Sequence, residues 1–222
     1  MATHSRDQVD ALTRQAYARW AGFLAPASLD ACTHCMDEVD QETLRALPVS
    51  TIPAPLLWDY HCAAHDKVTP LSEVLHFLPR YLDLLAQFIP HNALGYEATL
   101  SRIAWDDLPA DDQAFLQRWA DAYARLTLLD QADDPVNPPA DSARPQPDEL
   151  LIMLARAGID VTGILDSVRL ATSEAAITSR LQLVATFDMD TRQLTNPWAH
   201  ALPGLNATIG AWIATLPDAG QP

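Results

Sequence analysis

Apolar side chains at Val9, Leu12, Ala16, Trp20 and Leu24 return every three or four positions, the period of a helix with one buried stripe. Ser5, with Gln8 three places on, fits a capping box at its start, and Pro26 closes it. Residues 28–36 then read as a loop, and residues 37–47 as a short helix. That helix has acids in its first turn and Arg45 in its last, which suits the helix dipole. Leu56, Leu57, Tyr60, Ala63 and Ala64 predict a helix over 55–65. A short helix follows from Leu71, and Pro79, which lacks an N–H and clashes inside a helix, predicts a new helix opening there. Residues 96–105 predict a further helix. Phe115, Trp119, Ala122, Leu126 and Leu129 step regularly in fours and threes, the strongest seam in the chain.

In the second half, the pattern predicts helices over 149–157, 161–170, 174–187 and 205–216. Gly158 fits a left-handed cap on the first of these, with Ile159 for the accompanying apolar contact. Asn196-Pro197 pairs an N-cap with a proline at the first helical position, opening a short helix through Trp198. No segment alternates like a strand, and no repeat of fixed period occurs. The expectation is an all-α fold of about eight to ten helices, in a bundle or in stacked antiparallel pairs, forming a single domain over 1–222. Residues 131–148 interrupt it: five prolines with no aromatic, leucine or isoleucine predict an exposed, semi-extended loop rather than a linker between domains.

Composition sharpens the picture. The 222 residues are 49% hydrophobic and 19% charged, enough apolar surface for a real core. Lys67 is the single lysine, and 29 acids against 14 bases leave a formal charge of −15. Such a surface repels phosphate backbones and anionic lipid, so neither nucleic acid nor membrane is expected as a partner. No signal-like apolar segment opens the chain. Three cysteines, an odd number, argue for reduced thiols in the cytoplasm rather than a disulfide framework.

One constellation has metal-ligand spacing. Cys32 and Cys35 flank two residues in the predicted loop, and His61 and His65 lie four apart on a predicted helix, one turn above each other on one face. Together they spell C-x2-C-x25-H-x3-H, with Cys62 as a substitute ligand. Zinc suits thiolate and imidazole, and a filled tetrahedral site would staple the cysteine loop to the third helix, with Asp59 and Asp66 orienting the imidazoles. The plainer reading weighs more: cysteine is often simply buried, and seven histidines produce close pairs by chance. A thioredoxin-like use of the pair needs a preceding strand, whereas the upstream segment reads as helix. A catalytic variant sets His61 and His65 with Asp59 or Asp66 at an open metal site, but residue 62 is cysteine where the H-E-x-x-H pattern has its base.

Asp106, Asp107, Asp111 and Asp112 surround Pro109 and are expected as helix caps before they are expected as a cation site. Arg80, beside His76, has the chemistry to bind an anion but is expected to pair with a neighbouring acid. The six tryptophans fall mostly on apolar stripes. Walker, dinucleotide and G-x-S-x-G motifs are absent.

The Cys32-Thr-His-Cys35 run, the Phe77-Leu-Pro-Arg-Tyr-Leu82 block, Asn196-Pro197-Trp198 and Trp212-Ile213 resemble a group of uncharacterised bacterial helical proteins with a CxxC, an F-L-P-R-x-L block and a C-terminal tryptophan segment. The resemblance implies a bacterial all-α protein and transfers no functional residue. The expected function is a cytoplasmic protein–protein interaction module, with structural zinc on Cys32, Cys35, His61 and His65 as one option. A metal-dependent enzyme with His61 and His65 as ligands is the alternative.

Overall fold

The computed structural model describes residues 3–29, 31–64, 69–89, 95–130 and 143–216. Among them the chain is all-α. Nine α-helices are α1 (Thr3–Arg19), α2 (Glu38–Ala46), α3 (Ala54–Cys62), α4 (Leu71–Ala86), α5 (Ala110–Leu128), α6 (Pro147–Arg156), α7 (Thr162–Leu170), α8 (Glu174–Ala185) and α9 (Pro203–Ile213). A two-residue hairpin, β1 (Phe187–Asp188) with β2 (Gln193–Leu194), is the only sheet among the described residues.

α1 and α5 follow their apolar stripes. Val9, Leu12, Ala16 and Trp20 are buried where α1 crosses α4 and α5. The seam of α5 is buried at Phe115, Trp119, Ala122, Leu126 and Leu129, and α5 forms a wall shared by α1, α6, α7 and α8. Leu150, Leu151, Ile152, Met153 and Leu154 in α6 are all inaccessible, and the buried hydrophobics from Val9 to Trp212 make one cluster. Asp37 caps α2, accepting from Asp40 N–H at 2.8 Å. Gly158 stands at φ +81 beyond α6; Ile159 N–H reaches Leu154 C=O at 3.0 Å and Gly158 N–H reaches Ala155 C=O at 3.0 Å, a Schellman closure. Asn196 Oδ1 accepts from Trp198 N–H at 3.1 Å and opens a 3-10 turn over Pro197–Ala201.

Several local expectations change. α1 begins at Thr3, so Ser5 lies buried inside the first turn, and it stops at Arg19, leaving Leu24 beyond it and 83% exposed. α4 runs unbroken through Pro79. An interior proline costs about 3 kcal/mol, but α4 is buried nearly all round, including Phe77, Leu78, Tyr81, Leu82, Leu84 and Leu85, and that packing holds the helix together. Residues 96–105 are a chain of turns, not an α-helix: Thr99, Ser101 and Ile103 N–H groups each bond three residues back. Pro109, not an aspartate, is the N-cap of α5. Residues 131–142 of the expected proline-rich loop lie outside the described residues. Its far end is packed rather than exposed, because α6 starts at Pro147, Pro145 and Asp148 are buried, and Arg144 stacks over Phe88 at 4.7 Å. No described helix is long and apolar enough to cross a membrane.

Candidate functional site

Of the residues singled out for a metal, Cys32, Cys35, His61 and Cys62 are among the described residues. His61, near the end of α3, is buried. Its Nε2 lies 3.0 Å from Ala98 C=O and, because a carbonyl only accepts, donates to it, while Nδ1 faces Tyr81 OH at 3.3 Å. Both ring nitrogens are therefore engaged within the protein. His65 and Asp66 lie outside the described residues. Among the described residues no three of His, Cys, Asp and Glu are grouped so as to hold a metal ion.

Around His61 stands a buried polar cluster. Tyr60 donates to the Glu73 carboxylate, and burial together with that bond pushes its phenol well above the usual range. Burial does the same to Tyr81. Arg102 closes the end of α3, donating to His61 C=O at 2.6 Å and to Thr69 Oγ1 at 3.2 Å, with its guanidinium 5.2 Å from the Tyr60 ring centre. Tyr60, His61, Tyr81, Thr99 and Arg102 line a cavity of about 20 Å³, which takes one water-sized molecule. The two phenols, the imidazole and the Arg102 cation fasten α3 to α4 and to the turns after residue 95.

The cysteine loop lies beside this cluster. Cys32 N–H donates to Ala64 C=O at 2.8 Å, which docks the loop on the end of α3. Within it, Cys35 N–H and Met36 N–H both return to Cys32 C=O at 3.0 Å. Gln41 of α2 holds the turn from both sides through Ala31 C=O at 3.2 Å and Met36 C=O at 2.9 Å, and Met36 is buried beneath it. Cys32, Cys35 and Cys62 are exposed and none is in a disulfide.

Asp112, Arg80 and His76 have structural partners. Asp112 accepts from Arg19 Nε and from the buried indole N–H of Trp20, at 3.2 Å for the latter, tying the end of α1 to α5. Asp106 and Asp107 lie exposed in a 3-10 turn. Arg80 is paired as expected: Nε reaches Ile52 C=O at 2.9 Å and Nη1 reaches Asp83 at 2.6 Å, while Tyr17 OH donates to the same Asp83 oxygen at 3.0 Å. His76 Nδ1 lies 2.8 Å from Phe23 C=O. A shallow groove of about 430 Å³ between α7 and α9 carries Asp166 and Arg169, which pair with each other at 2.9 Å.

One surface stands apart. Of the seven large apolar side chains exposed among the described residues, five (Leu170, Ile177, Leu181, Val184 and Met189) fall between residues 170 and 189. Ile177, Leu181 and Val184, exposed at 43%, 59% and 41%, recur at helical spacing on α8. Its opposite side is buried through Ala175, Ala176, Ser179 and Leu183. Arg180, the one base on α8, donates to Val168, Arg169 and Ala171 carbonyls at 2.7–3.2 Å, so its charge is drawn to the end of α7. Sequence patterning predicts α8 as a helix without showing this face, since apolar residues occur all round it.

Comparison of the chain with family models, with curated proteins and with solved structures finds no match in any of the three.

Proposed function

We propose that the chain is a protein-interaction module that docks through the exposed face of α8, and that the occupant of this face is a second copy of the chain. The carrying observation is the concentration of exposed apolar side chains between residues 170 and 189, with three of them in one stripe on α8. Patches of this kind on a folded surface mark docking sites.

Two further features favour a second copy. The stripe is self-complementary: Ile177 stands four residues before Leu181 and Val184 three after. Antiparallel pairing about Leu181 sets each Ile177 near the other chain's Val184, the two-fold arrangement of an isologous contact. The face also avoids the charge problem of a chain at −15. α8 carries one acid, Glu174, and one base, Arg180, so two copies meet there without setting acid on acid.

Sedimentation velocity over roughly 1–300 µM, the range in which modest interfaces populate, tests this reading. The wild-type chain is expected to shift from one-chain to two-chain mass. Leu181→Glu is expected to stay at one-chain mass to at least tenfold higher concentration, because it buries an unpaired charge at the centre of the contact. In a background with Cys32, Cys35 and Cys62 changed to serine, Leu181→Cys is expected to form a disulfide-linked pair under mild oxidation. A wild-type chain at one-chain mass throughout, or a Leu181→Glu dimer as tight as wild type, overturns the proposal.

A further inference from the structure

The thiols of the 32–35 turn belong neither to the α8 face nor to the buried cluster. We propose that Cys32 and Cys35 are a reversible dithiol–disulfide pair, a modification site for low-molecular-weight disulfides such as oxidised glutathione.

The backbone supplies the geometry. A bond from Cys35 N–H to Cys32 C=O at 3.0 Å closes a four-residue turn. Such a turn holds its end Cα atoms within about 7 Å, and a disulfide spans Cα atoms about 4.4–6.8 Å apart. The turn is braced independently of the sulfurs, by Gln41 on Ala31 and Met36, by Ala64 C=O on Cys32 N–H, and by buried Met36. Closing the pair therefore needs side-chain rotation and no refolding of the loop. Both cysteines are exposed, so an attacking disulfide reaches either one. The arrangement is not thioredoxin-like: α1 lies upstream, and α2 opens only at Glu38, beyond the second cysteine.

The chemistry balances. One cysteine, as thiolate, attacks a sulfur of oxidised glutathione, forms a protein–glutathione disulfide and expels one glutathione thiolate. The second thiolate attacks the protein-bound sulfur, closes the Cys32–Cys35 bond and expels the second glutathione. The protein loses two electrons and two protons, the oxidant gains them, and excess reduced glutathione reverses both steps.

The test uses the full-length untagged chain, equilibrated with reduced and oxidised glutathione at graded ratios, quenched with acid, alkylated and analysed by intact and peptide mass spectrometry. Wild type is expected to lose two hydrogens, with the bond in the peptide carrying Cys32 and Cys35 and with Cys62 still alkylated. Cys62→Ser is expected to behave as wild type. Cys35→Ser is expected to lose the two-hydrogen change completely and to accumulate a glutathione adduct on Cys32, since no second thiol remains in the turn to expel it. Adducts on wild type without ring closure, or a disulfide through Cys62, overturn the proposal. So does a pair that resists oxidation because it holds zinc, read by metal analysis of the same sample.

Discussion

Asp112 and Glu149 show how much depends on where a carboxylate sits. Asp112 has the chemistry of a helix cap, yet it is spent across the α1–α5 contact on Arg19 and the Trp20 indole. Removing it strands a buried N–H, a loss of about 1–3 kcal/mol, whereas the Arg19 half of the contact is about one-third exposed and contributes less. Asp112→Ala is therefore expected to lower the melting temperature by several degrees, about 2–4 °C per kcal/mol in a chain of this size. Asp112→Asn keeps an acceptor and should lose less; equal losses in thermal melts would show that charge, not acceptance, holds the contact. Glu149 is the converse case. Burial raises its carboxyl, Glu97 and Asp148 add repulsion, and the Gln146 N–H at 2.8 Å opposes them. A raised acid keeps its proton in the folded chain after the unfolded chain has released it. Stability thus falls as pH rises from the unfolded value, about 4.3, through the folded one. Glu149→Gln retains an acceptor without the charge. It should melt above wild type at pH 7, with the gap closing as pH falls toward 4; a wild-type chain more stable at pH 7 would contradict this.

At the scale of elements, the end of α6 is the sharpest local prediction. Gly158 has φ +81, and a Cβ there would stand 2.5 Å from Trp105 Cβ. Gly158→Ala incurs left-handed strain of about 1 kcal/mol and overpacking of about 1–3 kcal/mol, so a clear fall in the denaturant midpoint is expected; an unchanged midpoint would mean the Schellman closure is not needed. This cap was legible because glycine followed by an apolar residue has a specific backbone meaning. The α5 seam was legible for a similar reason, since one face is apolar and the other is not. Pro79 misled because its local rule is true but small beside the burial of α4 on every side. The 96–105 turns misled because apolar residues at short spacing do not distinguish an α-helix from bonds three residues back. The hairpin had no alternation to detect: two residues per strand are set by the Asp188 side chain taking Asp190 and Thr191 N–H and by Arg192 at φ +56. The proposed site was hidden for a physical reason too. On α8, sequence cannot say which apolar side a neighbour will cover. For the cysteines, spacing suggests a shared ion with His61 and His65 but cannot show that His61 is buried with its ring nitrogens facing Ala98 and Tyr81, and His65 lies outside the described residues.

For the whole molecule, charge and the α8 face oppose each other, and salt separates them. Each copy carries −15, so association through a helix with one acid and one base still brings two acidic bodies together. At 10 mM salt that repulsion reaches about 30 Å, and at 0.1 M about 10 Å. The apolar contact itself does not depend on charge and is not weakened by moderate salt. Pairing of copies should therefore tighten as salt rises, whereas docking of a basic partner onto an acidic surface would weaken. Association also links to unfolding: a chain that pairs only when folded gains stability with protein concentration. The wild-type melting temperature should thus climb with concentration, and climb more steeply at 0.5 M than at 10 mM salt. Leu181→Glu should gain from salt through relief of its own repulsion yet stay flat with concentration. If wild type is flat with concentration at both salts, the second copy is not what covers α8; if the Leu181→Glu melt climbs as wild type does, the copies meet somewhere other than α8.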